Sequence, residues 1–319
     1  MSATGFQGII YVFAMSSTRP SHGPLSALDR APVWLNSEPL TAEGLRGRVV
    51  LVDFWTYSCV NWLRTLPYVS AWHERYGDRG LVVGVHAPEF GFEHDLDNVR
   101  RASAELGVAY PVVIDNDFAI WRAFENNYWP AVYLVDRDGR VRFRHFGEGA
   151  YEETERAIQR LLDVDEETVR VDAGGVAEAA DWGTLRSPET YLGSLRGEPR
   201  IGGEQPVLNE WALAGEWSVG DEAAVLGAAG GSIAYRFEAR DLNLVLAPPA
   251  SGAPVSFTVR LDGQPPGDAH GVDADESGEG TVTEPRMYQL VRQPGAVGQR
   301  TFEITFLDPG VRAYVFTFG

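Results

Sequence analysis

The chain has 319 residues, 44% hydrophobic and 23% charged, which is too long for one small module and too apolar for a disordered protein. With 45 acids against 27 bases its formal net charge is -18, which argues against nucleic acid as a partner; no apolar run reaches the roughly 20 residues of a membrane span. A single cysteine, Cys59, excludes an intramolecular disulfide and any multi-cysteine zinc or iron–sulfur site.

Residues 1–30 show no sustained period and read as a poorly ordered tail. The apolar run at 8–14 has no Lys or Arg before it, so the basic region of a secretory leader is missing, which points to the cytoplasm. From 31 to 163 strand and helix patterns alternate. Residues 48–55 form a nearly continuous apolar run, the pattern of a strand buried on both faces, and 80–86 repeat it. Between them, Leu63, Leu66, Val69 and Trp72 fall at helical spacing over 59–76. Helices are predicted over 95–106, ended by Gly107, over 117–125 and over 152–162; strands are predicted at 112–114, 131–135 and 141–146, the last pair joined by an Asp-Gly turn. Such alternation predicts an α/β sheet covered on both faces.

Residues 164–203, rich in Gly, Pro, Glu and Arg, read as a linker. Beyond it the period changes to two: Ile233, Tyr235 and Phe237, then Val255, Phe257, Val259 and Leu261, then Phe302, Ile304 and Phe306, then Tyr314, Phe316 and Phe318 alternate with other residues. Short alternating strands between Gly/Pro/Asp turns predict an all-β sandwich over 204–319.

Cys59 stands where a buried strand gives way to a helix, with Ser58 as the expected N-cap. A helix N-terminus stabilises a thiolate and lowers a cysteine pKa from about 8.5 into a range of roughly 3.5–7.5. A buried, inert cysteine fits the same position, and the strand-to-helix placement alone does not separate the two.

The segment Asp53-Phe54-Trp55-Thr56-Tyr57-Ser58-Cys59 resembles the active-site stretch of the thioredoxin superfamily, with Pro67 at the place of its helix-kinking proline and Trp129-Pro130 at its cis-proline element. The extra βα unit between Cys59 and Pro130 is similar to the redoxin, or TlpA-type, branch. Together with Val83-Gly84-Val85-His86-Ala87-Pro88-Glu89-Phe90 and Phe146-Gly147-Glu148-Gly149, the pattern is similar to the soluble C-terminal part of DipZ-type proteins, a thioredoxin-like domain followed by a jelly-roll domain like a carbohydrate-binding module. Ser187-Pro188-Glu189-Thr190-Tyr191-Leu192-Gly193 and the stretch 283–290 continue the likeness. The resemblance implies Cys59 as nucleophile, Pro130 shaping the substrate groove, Asp53 as a buried acid and Thr56 tuning the surroundings, with Trp55, Trp62 and Trp129 lining the groove. It also implies extracytoplasmic work, against the missing leader.

One departure bears on the chemistry. The family motif is Cys-x-x-Cys, and this chain reads Cys59-Val60-Asn61-Trp62. Positions three apart share a helix face, so the second thiol would expel a bound substrate, and Trp62 cannot. Three readings follow: a single-cysteine thiol oxidoreductase acting on a disulfide-bearing protein with a low-molecular-weight thiol; a peroxide-reducing redoxin, with Thr56 in a Thr-x-x-Cys pattern but Val52 where that family keeps proline; and a degenerate binding module. None requires a metal or an organic cofactor. Elsewhere, His86 reads as a satisfied core histidine, 273–284 fit the oxygen spacing of a calcium loop or a plain acidic hairpin, and Trp211, Trp217 and Tyr288 are either core or a glycan-binding face.

Overall fold

The computed structural model describes residues 23–197 and 206–319; the apolar run at 8–14, with the leader question attached to it, lies outside them. The chain divides between Ala177 and Glu178 into two compact units.

The first unit runs β1 (Trp34–Leu35), β2 (Val49–Trp55), α1 (Val60–Tyr76), β3 (Gly80–His86), α2 (Leu96–Glu105), β4 (Val112–Ile114), α3 (Ala119–Ala123), β5 (Ala131–Val135), β6 (Val141–Phe146) and α4 (Tyr151–Leu162). Its six-stranded sheet has the order β1-β4-β3-β2-β5-β6. Every residue of β2 is buried, as a continuous apolar run at the centre of a sheet requires. Val50, Val52 and Phe54 face a cluster with Ile120, Trp121 and Phe124, whereas Val49 and Leu51 line the opposite face with Trp72, Ile158 and Leu162. Phe54 meets the edges of Trp121, Phe124 and Tyr133 at centroid distances of 5.7, 5.5 and 5.6 Å, the arrangement that the aromatic quadrupole favours.

Two differences from the sequence reading stand at the N-terminus. A 3-10 helix over Pro24–Arg30 buries Leu25 and Leu28, so this part of the expected tail is packed structure. Two anchors in one short turn leave no period to detect. Likewise β1 pairs with β4 through only two residues, too few for an alternation to show.

The second unit contains β7 (Thr190–Tyr191), β8 (Trp211–Ala214), β9 (Trp217–Val219), β10 (Ala224–Leu226), β11 (Ser232–Glu238), β12 (Asp241–Ala247), β13 (Val255–Leu261), β14 (Glu279–Val282), β15 (Arg286–Arg292), β16 (Gln299–Phe306) and β17 (Arg312–Phe318). Two antiparallel sheets form, β15-β12-β17-β10-β9 with β7 also on β17, and β14-β13-β16-β11-β8. Inward residues of both sheets, among them Tyr235, Leu244, Phe257, Phe302 and Phe316, share one core, as expected of a sandwich. The predicted alternation is plain in β11 and β13; β12 is buried at every residue and shows none.

The stretch read as a linker is partly built into this unit. Glu178 accepts hydrogen bonds from Arg240 at 2.8 Å and Arg292 at 2.7 Å, β7 pairs with β17, and Leu192 joins the core. Ion pairs, a two-residue strand and a buried leucine hold this segment, and none of them leaves an apolar period, so its composition resembles a linker. The acids of 273–284 have protein partners: Asp273 is bound by Arg286 at 2.7 Å and by the Gln289 N–H at 2.8 Å, and Asp275 Oδ1 accepts the N–H groups of Ser277 and Glu279 at 2.9 Å. Among the described residues no group of three or more His, Cys, Asp or Glu is placed to hold a metal ion, and no helix is long and apolar enough to cross a membrane. Trp211 and Tyr288 are core residues and Trp217 packs against that core, so these aromatics form no exposed sugar-stacking face.

Phe54→Ala is expected to destabilise the first unit by about 3–5 kcal/mol, the usual cost of emptying a buried aromatic site. Urea unfolding followed by tryptophan fluorescence reads this directly; a loss below about 1 kcal/mol would contradict the packing described.

Candidate functional site

Strand pairing brings the site together. Trp55 of β2 is opposite His86 of β3, and Phe54 is opposite Ala131 at the start of the antiparallel β5. The turn leading to Cys59, the loop after His86 and the Trp129-Pro130 peptide therefore share one end of the sheet. That end lies beyond the carboxyl ends of parallel strands, where open α/β sheets place their ligands.

Cys59 itself is the N-cap of α1, with extended φ -79 and ψ 113. Its N–H donates to the Thr56 carbonyl at 3.3 Å and its carbonyl accepts from Leu63 N–H at 3.0 Å. The cap is thus one residue later than expected, because the Ser58 hydroxyl is turned away to donate to Glu93 Oε1 at 2.5 Å. Cys59 is half-buried and in no disulfide. No acidic residue occupies the first turn of the 17-residue helix that follows it, so the positive end of the helix dipole is not offset there.

Trp62 lies one turn further on, fully buried. Its Nε1–H donates to Asp53 Oδ2 at 3.0 Å, and its ring stacks on Trp55 at 4.2 Å between centroids, 20° from parallel. The expectation that Trp55 and Trp62 wall the groove is corrected accordingly: both indoles are sealed in the interior, drawn there by each other and by the carboxylate. Of the three tryptophans only Trp129 is partly exposed; its Nε1–H donates to the Ala87 carbonyl at 3.0 Å and its ring lies 4.3 Å from that of Trp121. Gly84 makes the inner stack feasible, since a Cβ there would come within 2.8 Å of the Trp55 nitrogen and 2.9 Å of the Tyr110 ring.

Asp53 also accepts from the Tyr110 hydroxyl at 3.3 Å, while its Oδ1 has no hydrogen-bond partner. Burial pushes its pKa up to about 7, against the lowering effect of the two donors. Trp129-Pro130 is a cis peptide, and the Pro130 carbonyl accepts from Gly147 N–H at 2.9 Å, fixing the following loop beside it. Thr56 is fully buried; its hydroxyl approaches Glu93 closely enough to lower that residue's pKa but outside hydrogen-bond geometry. His86 is not a hydrogen-bonded core histidine: neither ring nitrogen has a partner, its ring lies between Trp55 and Tyr57, and burial drives its pKa down to about 3.

Glu93 and Tyr110 are the residues the sequence reading missed. Glu93 is fully buried and its Oε2 accepts the N–H groups of Glu89 at 2.6 Å and Phe90 at 3.0 Å. Burial, and then the charge of Glu89, push its pKa up to about 7. Nothing in a lone loop glutamate marks such burial; the only hint is its position three residues after Phe90, where a side chain can cap the turn.

The Redoxin family model matches residues 32–162, and the model described as a thioredoxin-like C-terminal domain matches 187–319. The DipZ protein of Mycobacterium tuberculosis is 36% identical over 252 residues, covering 73% of this chain; the chain spans only 35% of that relative. The thiol-disulfide oxidoreductase YkuV of Bacillus subtilis is 33% identical over 140 residues, 44% of this chain and 94% of the relative. A solution structure of a thioredoxin-like protein in its oxidised form aligns with 31% identity and a TM-score of 0.41, covering 46% of this chain and all of that one.

The two raised carboxyls carry a pH signature. Their folded pKa values of about 7 exceed the unfolded value of about 4, so in that window the unfolded chain binds fewer protons. The stability they contribute is present on the acid side and is lost as pH rises from about 4 to about 7. Asp53→Asn is expected to make this decline shallower in urea titrations across that range. Equal slopes for the variant and the parent would show that Asp53 ionises normally.

Proposed function

The chain belongs to the thioredoxin-like thiol–disulfide oxidoreductases of the redoxin type, and on that premise we propose that it carries out thiol–disulfide exchange through Cys59 alone. The observation that carries the proposal is the contrast between two positions on one helix. Cys59 is partly exposed at the helix start, whereas residue 62, where the family keeps its resolving thiol, is an indole buried against Asp53.

In the first step the Cys59 thiolate attacks one sulfur of a substrate disulfide. A Cys59–substrate S–S bond forms, the substrate S–S bond breaks, and the other half leaves as a thiolate. The helix N-terminus favours the attacking charge, and its unpaired N–H groups need no rearrangement to do so. In the second step the thiolate of a low-molecular-weight thiol from solution attacks the substrate sulfur of the mixed disulfide, regenerating Cys59 as thiolate. Electrons balance: one disulfide is exchanged for another with no net oxidation of the protein. Asp53, neutral below about pH 7, adds no opposing charge to the attack and serves to hold Trp62. The cis Trp129-Pro130 peptide stands at the same end of the sheet as Cys59, with Trp129 partly exposed, which supports a role for it in shaping the approach of the substrate. No metal or organic cofactor enters either step.

The substrate class this supports is a disulfide-bearing protein, or a mixed disulfide on one, and the kinship with DipZ-type proteins favours an extracytoplasmic setting. Trp62 also suits a second reading, a binding module that captures partners without turnover. The buried Thr56 hydroxyl gives no support to a peroxide route.

Incubation with oxidised glutathione, followed by intact-mass measurement, separates these readings. One glutathione adduct per chain is expected, absent in Cys59→Ser and released by excess reduced thiol; absence of the adduct on the parent protein would overturn the proposal. Insulin reduction is expected to be negligible for the parent and to appear in Trp62→Cys, which restores the second thiol at some cost in stability. Dithiol-like turnover by the parent would show that no resolving group is needed.

A further inference from the structure

Glu93 is a second buried carboxyl at the site, distinct from Asp53 and used by neither exchange step. It stands in a 3-10 turn, Gly91–His94, after β3 and reaches the turn that presents the nucleophile. Ser58, the residue before Cys59, donates to its Oε1 at 2.5 Å, and Thr56, whose carbonyl holds the Cys59 N–H, lies against it. Its other donors are the Glu89 and Phe90 N–H groups, so its hydrogen bonds include none from a basic side chain. A fully buried carboxyl without a cation is a costly feature, and here it is fixed from both sides rather than relaxed to solvent.

We propose that Glu93 is a positioning residue for Cys59 that controls, through its own protonation, how readily the thiol ionises. The inference rests on the reading of Cys59 as the nucleophile. Cys59 ends the four-residue turn that begins at Thr56, and the fully buried Glu93 lies under the same turn, so a negative charge on Glu93 opposes one on Cys59. While Glu93 is protonated, Cys59 has the full benefit of the helix start. Once Glu93 ionises, the thiolate becomes harder to form. The charge that leaves Cys59 on forming a mixed disulfide conversely allows Glu93 to release its proton to solvent.

Other titratable groups belong to the elements at this end of the sheet: Glu89, whose charge acts on Glu93, Asp53 from β2, His86 from β3 and His94. All remain in a Glu93→Gln variant, so a difference between the two proteins isolates Glu93. Glutamine removes the charge and keeps one acceptor oxygen, which serves either the Ser58 hydroxyl or the Glu89 and Phe90 N–H groups.

The test is the rate of Cys59 alkylation by iodoacetamide from pH 5 to 9, read by mass. The parent is expected to show a profile flattened near neutrality, steepening again once Glu93 is ionised. Glu93→Gln is expected to lose most of that flattening and to react faster at pH 7.5 by about three- to tenfold, as a shift of up to about one pKa unit implies. Superimposable profiles would overturn the inference while leaving Cys59 as a nucleophile; a parent thiol unreactive at every pH would overturn the exchange reading as well. Should Glu93→Gln fail to fold, Ser58→Ala serves instead. It removes a hydrogen bond that lowers the Glu93 pKa, so the flattened region must move to higher pH, and an unmoved profile counts against the inference.

Discussion

The hydrogen bond from the Trp62 indole to Asp53 is the constraint around which this end of the sheet is arranged. A carboxyl on a strand buried on both faces has no water to turn to, and it needs donors from the elements packed above it. Trp62 supplies one from α1 and Tyr110 another from the segment preceding β4. The same indole stacks on Trp55, and Gly84 leaves the room that stack demands. Replacement of the second cysteine is therefore built into the interior, with a polar contact and a packing contact, rather than left as a gap beside the first.

That arrangement divides the motif into an inner and an outer part. Residue 62 turns inward and becomes core. Cys59 stays at the rim, on the start of a long helix, with the cis Trp129-Pro130 peptide at the same end of the sheet. Such a site suits the exchange proposed above, in which the resolving thiol comes from solution. Two buried carboxyls stand at this end of the sheet, one behind Trp62 and one under the Ser58 hydroxyl, and burial pushes both pKa values up to about 7.

Much of this was legible in the sequence because long apolar runs and clean alternations report burial directly. The ends of β3, β4, β5 and β6 coincide with their predicted ranges, and the alternating strands of the sandwich appear where Ile233, Val255 and Phe302 begin their patterns. Motif order also pointed to Cys59, Asp53 and Pro130. What escaped has a common physical origin, namely contacts that depend on a distant residue. The turn at Pro24–Arg30 is fixed by two leucines entering another element's core, and β1, only two residues long, is held by its pairing with β4. Ser58 gives up its capping role only because Glu93 is within reach, and no local pattern foretells that the indoles at 55 and 62 prefer each other to the groove.

The most direct test of the central claim is a pH titration of the Trp62 indole N–H resonance in a heteronuclear NMR spectrum. A proton held by a buried carboxyl should exchange slowly with water and should move with a midpoint near the Asp53 value of about 7. A fast-exchanging indole signal, or one that stays fixed between pH 5 and 9, would contradict the account by placing Trp62 in solvent or Asp53 in the charged state throughout.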